Sequence, residues 1–230
     1  MVLSASIVIY SCKKSREEEK IEKESLNPNL KAKIAEKYQL KNFDVQINEN
    51  ERLSLIEALE KQSVYYKEFQ SELLLNNIRK TTFNAENATV FTIPFKGKDK
   101  ALVLKFSIIG SNYVEDNEFV VERKLESKEV GFFKIQTREN EVFQAHFDNG
   151  IKKVEEVVKT SDNRQVQFDD CYGNHGGTGF CQREPGESIS ACYKAEVDEF
   201  CSDLLSCAGL IHWGVHAVIL ASCSCAAKMC

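Results

Sequence analysis

Between Asp203 and Lys228 the chain has no Asp, Glu, Lys or Arg. Roughly 24 residues therefore run without a full charge, enough for a helix to cross a bilayer core of about 30 Å. Cysteine is missing from the long middle: none lies between Cys12 and Cys171, and eight of the nine occupy the last 60 residues. An excess of basic residues is also missing. With 30 Lys and Arg against 35 Asp and Glu, a net charge of -5 and a pI near 5.6, the chain does not offer the cationic surface that phosphate contacts require, which excludes a nucleic-acid partner. No internal repeat of 20 to 50 residues is visible, which excludes a solenoid.

What is present is a globular balance, 43% hydrophobic and 28% charged over 230 residues. That length suits one good-sized core, or a smaller domain with something appended. At the start, residues 2–11 are apolar or small and lead into Ile9-Tyr10-Ser11-Cys12 and then "CKKSREEEK". This stretch resembles the lipobox and charged start of Bacteroidota surface lipoproteins, although a basic segment before the apolar run is lacking and Tyr10 is bulky for its place. The resemblance implies lipidation of Cys12, with residues 1–12 as signal and lipobox, and a location at the outer membrane or cell surface. Residues 13–28 then read as a charged tether. Removing Cys12 from the count leaves eight clustered cysteines, an even number suited to an oxidising compartment.

Residues 29–160 read as an α+β domain. "NPNLKAKIAEKYQL" carries Leu30, Ile34 and Tyr38 at helical spacing, and the stretch from Asn48 repeats Leu55, Leu59, Tyr65 or Tyr66, Phe69 and Leu73, with an interruption expected near Ser63–Tyr66. From residue 88 the period becomes two. "TVFTIPF", "ALVLKFSII", "EFVVERKL", "VGFFKIQT", "VFQAHF" and "IKKVEEVVKT" are β-branched and aromatic runs between turn residues, with "DNG" at 148–150 as a hairpin signal. The expectation is N-terminal helices packed on an antiparallel β-meander. His146, alternating with Phe143, Ala145 and Phe147, falls on the polar face.

Residues 161–170 read as a linker, and residues 171–230 as a small disulfide-rich α-helical hairpin domain. Ile189, Cys192, Val197, Phe200, Cys201, Leu204, Leu205 and Ala208 make one apolar face, with Glu196, Asp198, Glu199 and Asp203 expected mostly elsewhere. Gly209 ends or bends that helix, and a second runs from Leu210 to about Cys223. Cys171, Cys181, Cys192, Cys201, Cys207, Cys223, Cys225 and Cys230 are the candidate disulfide cysteines, whose pairing spacing alone leaves open. Metal is a competing use: His212 and His216 form an i, i+4 pair, yet the paired CxxC units of a zinc ribbon are lacking. Catalysis competes less well. A cysteine could meet His175, His212 or His216, but oxidised sulfur is no nucleophile, and "GNHGGTG" lacks the Lys-Ser/Thr ending of a phosphate loop. No enzyme and no cofactor are expected.

An uncharged, cysteine-dense helical segment at the end of a soluble chain is similar to the layout of cysteine-rich bacteriocins, including archaeal halocin precursors. The resemblance covers residues 171–230. It implies an antibacterial toxin precursor whose C-terminal domain permeabilises membranes, with Leu210, Ile211, Trp213, Val215, Val218, Ile219 and Leu220 as insertion residues and Trp213 as interface anchor. Cleavage by an activating protease after Arg164 would free it, a cut inside a disulfide loop, as after Arg183, would leave two pieces joined by sulfur, and an immunity protein would be a further partner. The acidic balance of this region (Arg183, Lys194 and Lys228 against six Asp and Glu) points to an outer-membrane receptor beside the target membrane. The alternative is a non-toxic surface module that binds a protein or glycan, its C-terminal domain stapled by disulfides or bound to zinc.

Overall fold

The structure, a computed structural model, describes residues 26–84, 88–109, 112–125, 130–148, 181–184, 186–200 and 209–225. Helix α1 (Pro28–Lys37) starts where the Asn27 side chain accepts from the Asn29 amide and proline occupies the first turn. It leads into strand β1 (Leu40–Gln46), helix α2 (Glu49–Gln62) and the short α3 (Val64–Phe69). The break at Ser63 is specified by chemistry as well as by weak helix formers. Ser63 is extended, its hydroxyl accepts from the Tyr66 amide, and the buried Glu118 carboxylate accepts from Ser63 Oγ and the Val64 and Tyr65 amides. A carboxylate is thus held against the first amides of α3.

Strands β2 (Arg79–Phe83), β3 (Ala88–Pro94), β4 (Lys100–Ile109), β5 (Asn112–Leu125), β6 (Val130–Thr137) and β7 (Val142–Asp148) follow. With β1 they form one seven-stranded antiparallel sheet in the order β1 to β7. Each strand pairs with its sequence neighbour, as the expected meander requires. Two strands had no sequence signal. β1 places both Leu40 and Phe43, three residues apart, inside because its pairing with β2 shifts register between Leu40 and Asn42; a second shift, between Asn42 and Val45, includes Asp44 at a φ of 51°. β2 is a short, mostly polar run that the charged Arg79-Lys80 opening conceals. Conversely, the expected strand "IKKVEEVVKT" and Gly150 of the "DNG" turn lie outside the described residues.

Helices cover both faces of the sheet. On one, Leu55, Leu59, Tyr65 and Tyr66 from α2 and α3 pack on Phe91, Ile93, Phe95, Leu102, Leu104, Phe106 and Val120. On the other, α1 lies together with α4 (Ile189–Phe200) and α5 (Trp213–Ser224), over Val90, Val103, Phe119, Val121, Phe133, Ile135, Phe143 and Ala145. Strand β3, at the centre of both contacts, is buried along its whole length. The two cysteine-bearing helices therefore share one core with α1 and the sheet. The linker expected at 161–170, itself outside the described residues, does not divide two cores.

Candidate functional site

The cysteine-bearing helices and their seat on the sheet concentrate the unusual chemistry of the chain. α5 begins at Trp213, three residues later than the periodicity suggested, because Gly209–Ile211 form a 3₁₀ turn and His212 is extended as the N-cap. His212 Nδ1 accepts from the Gly214 amide at 3.1 Å, and the Asp44 carboxylate approaches its Nε2 at 3.6 Å. Asp44 is itself held by Arg79. A Cβ on Gly214 would stand 3.1 Å from Asp44 Oδ1, so the glycine lets the carboxylate close on the start of the helix. Gly209 is tighter still, since a Cβ there would come within 2.5 Å of Leu30 on α1.

From Gly214 to Cys223 every residue of α5 is buried. Val215, Val218, Ile219 and Leu220, four of the expected insertion residues, have no exposed surface, and Leu210 is buried beside them. Trp213 is half-buried with the Arg123 guanidinium 5.0 Å from its ring, and Arg123 is paired with Asp99. The Ile211 side chain lies outside the described residues. Among the described residues no helix is long and apolar enough to cross a membrane. The uncharged run is thus not one helix there: the turn and the extended His212 interrupt it.

Among the described residues, two disulfides bind the segment to itself. Cys181–Cys225 joins the stretch before α4 to the residue after α5, and Cys192–Cys223 links the two helices, with Cα separations of 5.3 and 5.6 Å. The Gln182 amide donates to the Ser222 carbonyl between them. Cys223-Ser224-Cys225 sends one cysteine to each partner, so the CxC spacing is used for two staples. Cys12, Cys171, Cys201, Cys207 and Cys230 lie outside the described residues, as do Arg164 and His175. Arg183, the other expected cleavage point, is half-buried, and burial lowers its pKa.

The two candidate metal-binding histidines do not converge on a shared point. His216 is fully buried. Its Nε2 lies 2.5 Å from the Leu210 carbonyl, which can only accept, so Nε2 carries the proton and Nδ1 accepts from the Tyr193 hydroxyl at 2.5 Å. Its ring packs 3.7 Å from that of Phe133 on β6. Burial pushes the His216 pKa down to about 3, with Arg123 and His212 adding repulsion, and pushes the Tyr193 hydroxyl far up. Among the described residues no group of three metal-ligating side chains gathers. His146 lies beside Phe132 at 5.5 Å, on the strand face opposite Phe143 and Ala145.

A second polar contact fastens α4 to α1. Glu196 is buried, accepts from the Tyr38 hydroxyl at 2.7 Å and pairs with Lys37 at 3.1 Å, while Lys37 also reaches Glu199. Burial and Glu196 raise the Tyr38 pKa well above its ordinary value. This corrects the sequence reading, which placed Glu196 off the apolar face. Its position was legible, because Glu196 stands four residues from both Cys192 and Phe200, on the same helical stripe. Asp44 and Phe133 carried no comparable signal.

No protein-family model matches the chain, and the comparisons with curated proteins and with solved structures found no match.

Proposed function

We propose that this protein is a lipid-anchored or secreted precursor of an antibacterial toxin, in which the helix and sheet portion keeps a cysteine-rich C-terminal segment covered until it is freed to permeabilise target membranes. The observation that carries this reading is the burial of α5. Residues 214–223 are almost wholly apolar, and the sheet and α4 remove them all from water. Freed from that seat, they would expose a continuous hydrophobic surface that has to find a bilayer or another partner. The staples support the same reading, because both described disulfides lie within 181–225 and would keep the segment compact after separation.

In this proposal the activating cut falls after Arg164. All cysteines but Cys12 lie beyond that point, so a single scission leaves the eight on one piece. A cut after Arg183 is the poorer choice, since Arg183 is half-buried within the loop closed by Cys181–Cys225. α5 has 12 residues, a length of about 18 Å. That is short of a bilayer core, so α5 alone does not span, and insertion uses it together with more of the segment. Lipidation at Cys12 would hold the precursor at the cell surface. An outer-membrane receptor and an immunity protein complete the scheme.

The test is dye leakage from liposomes and from living bacteria, comparing the intact chain, the chain cut after residue 164, and the oxidised and reduced 171–230 fragment. The expected result is leakage from the cut chain and the oxidised fragment and none from the intact chain. Leakage from cells alone would assign a receptor. Silence from every form would remove the toxin reading in favour of a surface binding module, in which α5 is ordinary core for the sheet, packed with Val90, Val103, Phe119 and Val121.

A further inference from the structure

His216 sits where α5, α4, the 3₁₀ turn and the sheet meet, and all of its hydrogen-bonding capacity is used in the neutral form. Nε2–H donates to the Leu210 carbonyl, Tyr193 Oη–H on α4 donates to Nδ1, and Phe133 of β6 closes the ring face. A second proton would land on Nδ1, facing the Tyr193 oxygen, and would place a cation in a site sealed from bulk solvent. Among the described residues, the charged and titratable groups around it offer no anion to pair with that cation. From α4 comes the Tyr193 hydroxyl, which burial keeps protonated; from β5 comes Arg123, a cation; from the start of α5 comes His212, which repels a charged His216. The nearby carboxylates act elsewhere, Asp99 on Arg123, Asp44 on His212 with Arg79, and Glu196 and Glu199 on Lys37, with Glu196 also on Tyr38.

We propose that His216 makes the seating of the stapled helix pair acid-labile: mild acid lifts α4 and α5 from the sheet while the two disulfides keep them joined to one another. The sign follows from linkage. His216 resists the proton in the closed form and accepts it at an ordinary histidine pKa when opened to water. The closed form is therefore at full strength above pH 6.5 and loses ground as pH falls from there toward about 3. At pH 4.5 the opening equilibrium should have risen on the order of 100-fold over its value at neutral pH. This extends the proposed release of the segment by naming the condition that opens it. It does not require membrane activity, since its readout is exposure of α5 and not leakage.

The experiment is amide hydrogen exchange, read by mass spectrometry on the intact, unreduced chain from pH 7.5 to 4, with rates corrected for the intrinsic effect of pH. The expected result is loss of protection in 213–224 and 189–200 by more than tenfold at pH 4.5, while 49–62 on the opposite face stays protected. His216→Gln, which keeps polar atoms in the site and cannot charge, should flatten that response, whereas His212→Gln should leave it in place. Should the glutamine variant not fold, an NMR titration of the wild-type imidazole decides the matter. A His216 that takes up its proton above pH 6 with the helices still seated would overturn the proposal. So would protection of α5 that persists to pH 4, or an acid response that survives His216→Gln and disappears in His212→Gln.

Discussion

The two faces of the sheet are covered by helices that reached it in different ways. α2 and α3 follow β1 directly, and their hold is built from aromatic and aliphatic packing plus one buried carboxylate, Glu118, that receives the Ser63 break. α4 and α5 come from the far end of the chain, past residues 149–180, and rely on two disulfides, on Glu196 with Tyr38 and Lys37, and on the neutral His216. A face closed by local connections does not need staples, because the loops to be closed are short. A face closed from a distance has a larger entropy cost to offset; both described disulfides lie within 181–225 and restrict the unfolded segment itself, so the cost of its return to the sheet is offset by packing and buried polar contacts. The difference teaches that the described disulfides fix α4 and α5 to one another, while the seat of that pair on the sheet rests on packing, Glu196 and His216.

The comparison can be broken most forcefully by charge. Val218→Asp, in the centre of α5, should cost at least about 3–5 kcal/mol by burying an unpaired carboxylate. Urea denaturation will measure it, and hydrogen exchange should show 213–224 opening while α2 remains protected. Leu59→Ala on the opposite face should cost about 2–5 kcal/mol through the cavity it leaves. The same urea experiment should find it unfolding both faces together, because the sheet depends on the contacts of its central strands there.

Replacing Cys192 and Cys223 together by serine should remove about 3–4 kcal/mol of stability, as expected for a loop closed across 31 residues. Exchange of α4 and α5 should then rise with little change in 49–62. Glu196→Gln should cost about 1–2 kcal/mol by weakening the charge-assisted contacts to Tyr38 and Lys37, read as a shift in the urea midpoint.

The last comparison concerns pH and has the opposite sign on the two faces. Burial and the neighbouring Glu118 raise the Glu115 carboxyl to about 7, against the pull of Arg138. A carboxyl raised in the fold contributes stability that is present below about pH 4.5 and is lost as pH rises through about 7. His216 works in the reverse direction, with stability present above pH 6.5 and lost on acidification. Glu115→Gln should therefore flatten the neutral limb of a plot of urea midpoint against pH and leave the acid limb, where the other face responds, unchanged.

Much of the architecture was readable in advance. Alternation in β3 to β7, the helical spacing of Leu30 and Ile34, and the break near Ser63 reflect local rules of side-chain direction and backbone preference, which operate over a few residues. β1 escaped because its register is set by a bulged pairing with β2 and by the positive φ of Asp44, neither of which leaves a periodic trace. Within the candidate site, Glu196 could be placed from its spacing to Cys192 and Phe200. Asp44 beside His212, Phe133 beside His216 and the choice of disulfide partners could not, since each depends on which distant elements meet.

By itself, then, the sequence determined the class of the protein: helices and an antiparallel meander, an uncharged C-terminal stretch, and enough clustered cysteine to staple it. Those properties are local or compositional, and the energies behind them are summed along the chain. Only the tertiary structure decided that the apolar helix would lie on the sheet, that Cys181 would find Cys225 and Cys192 find Cys223, and that a histidine would be sealed neutral between Tyr193, Leu210 and Phe133. These outcomes depend on close packing between residues far apart in sequence. Burial there changes the cost of a charge and the reach of a sulfur in ways that no stretch of sequence contains alone.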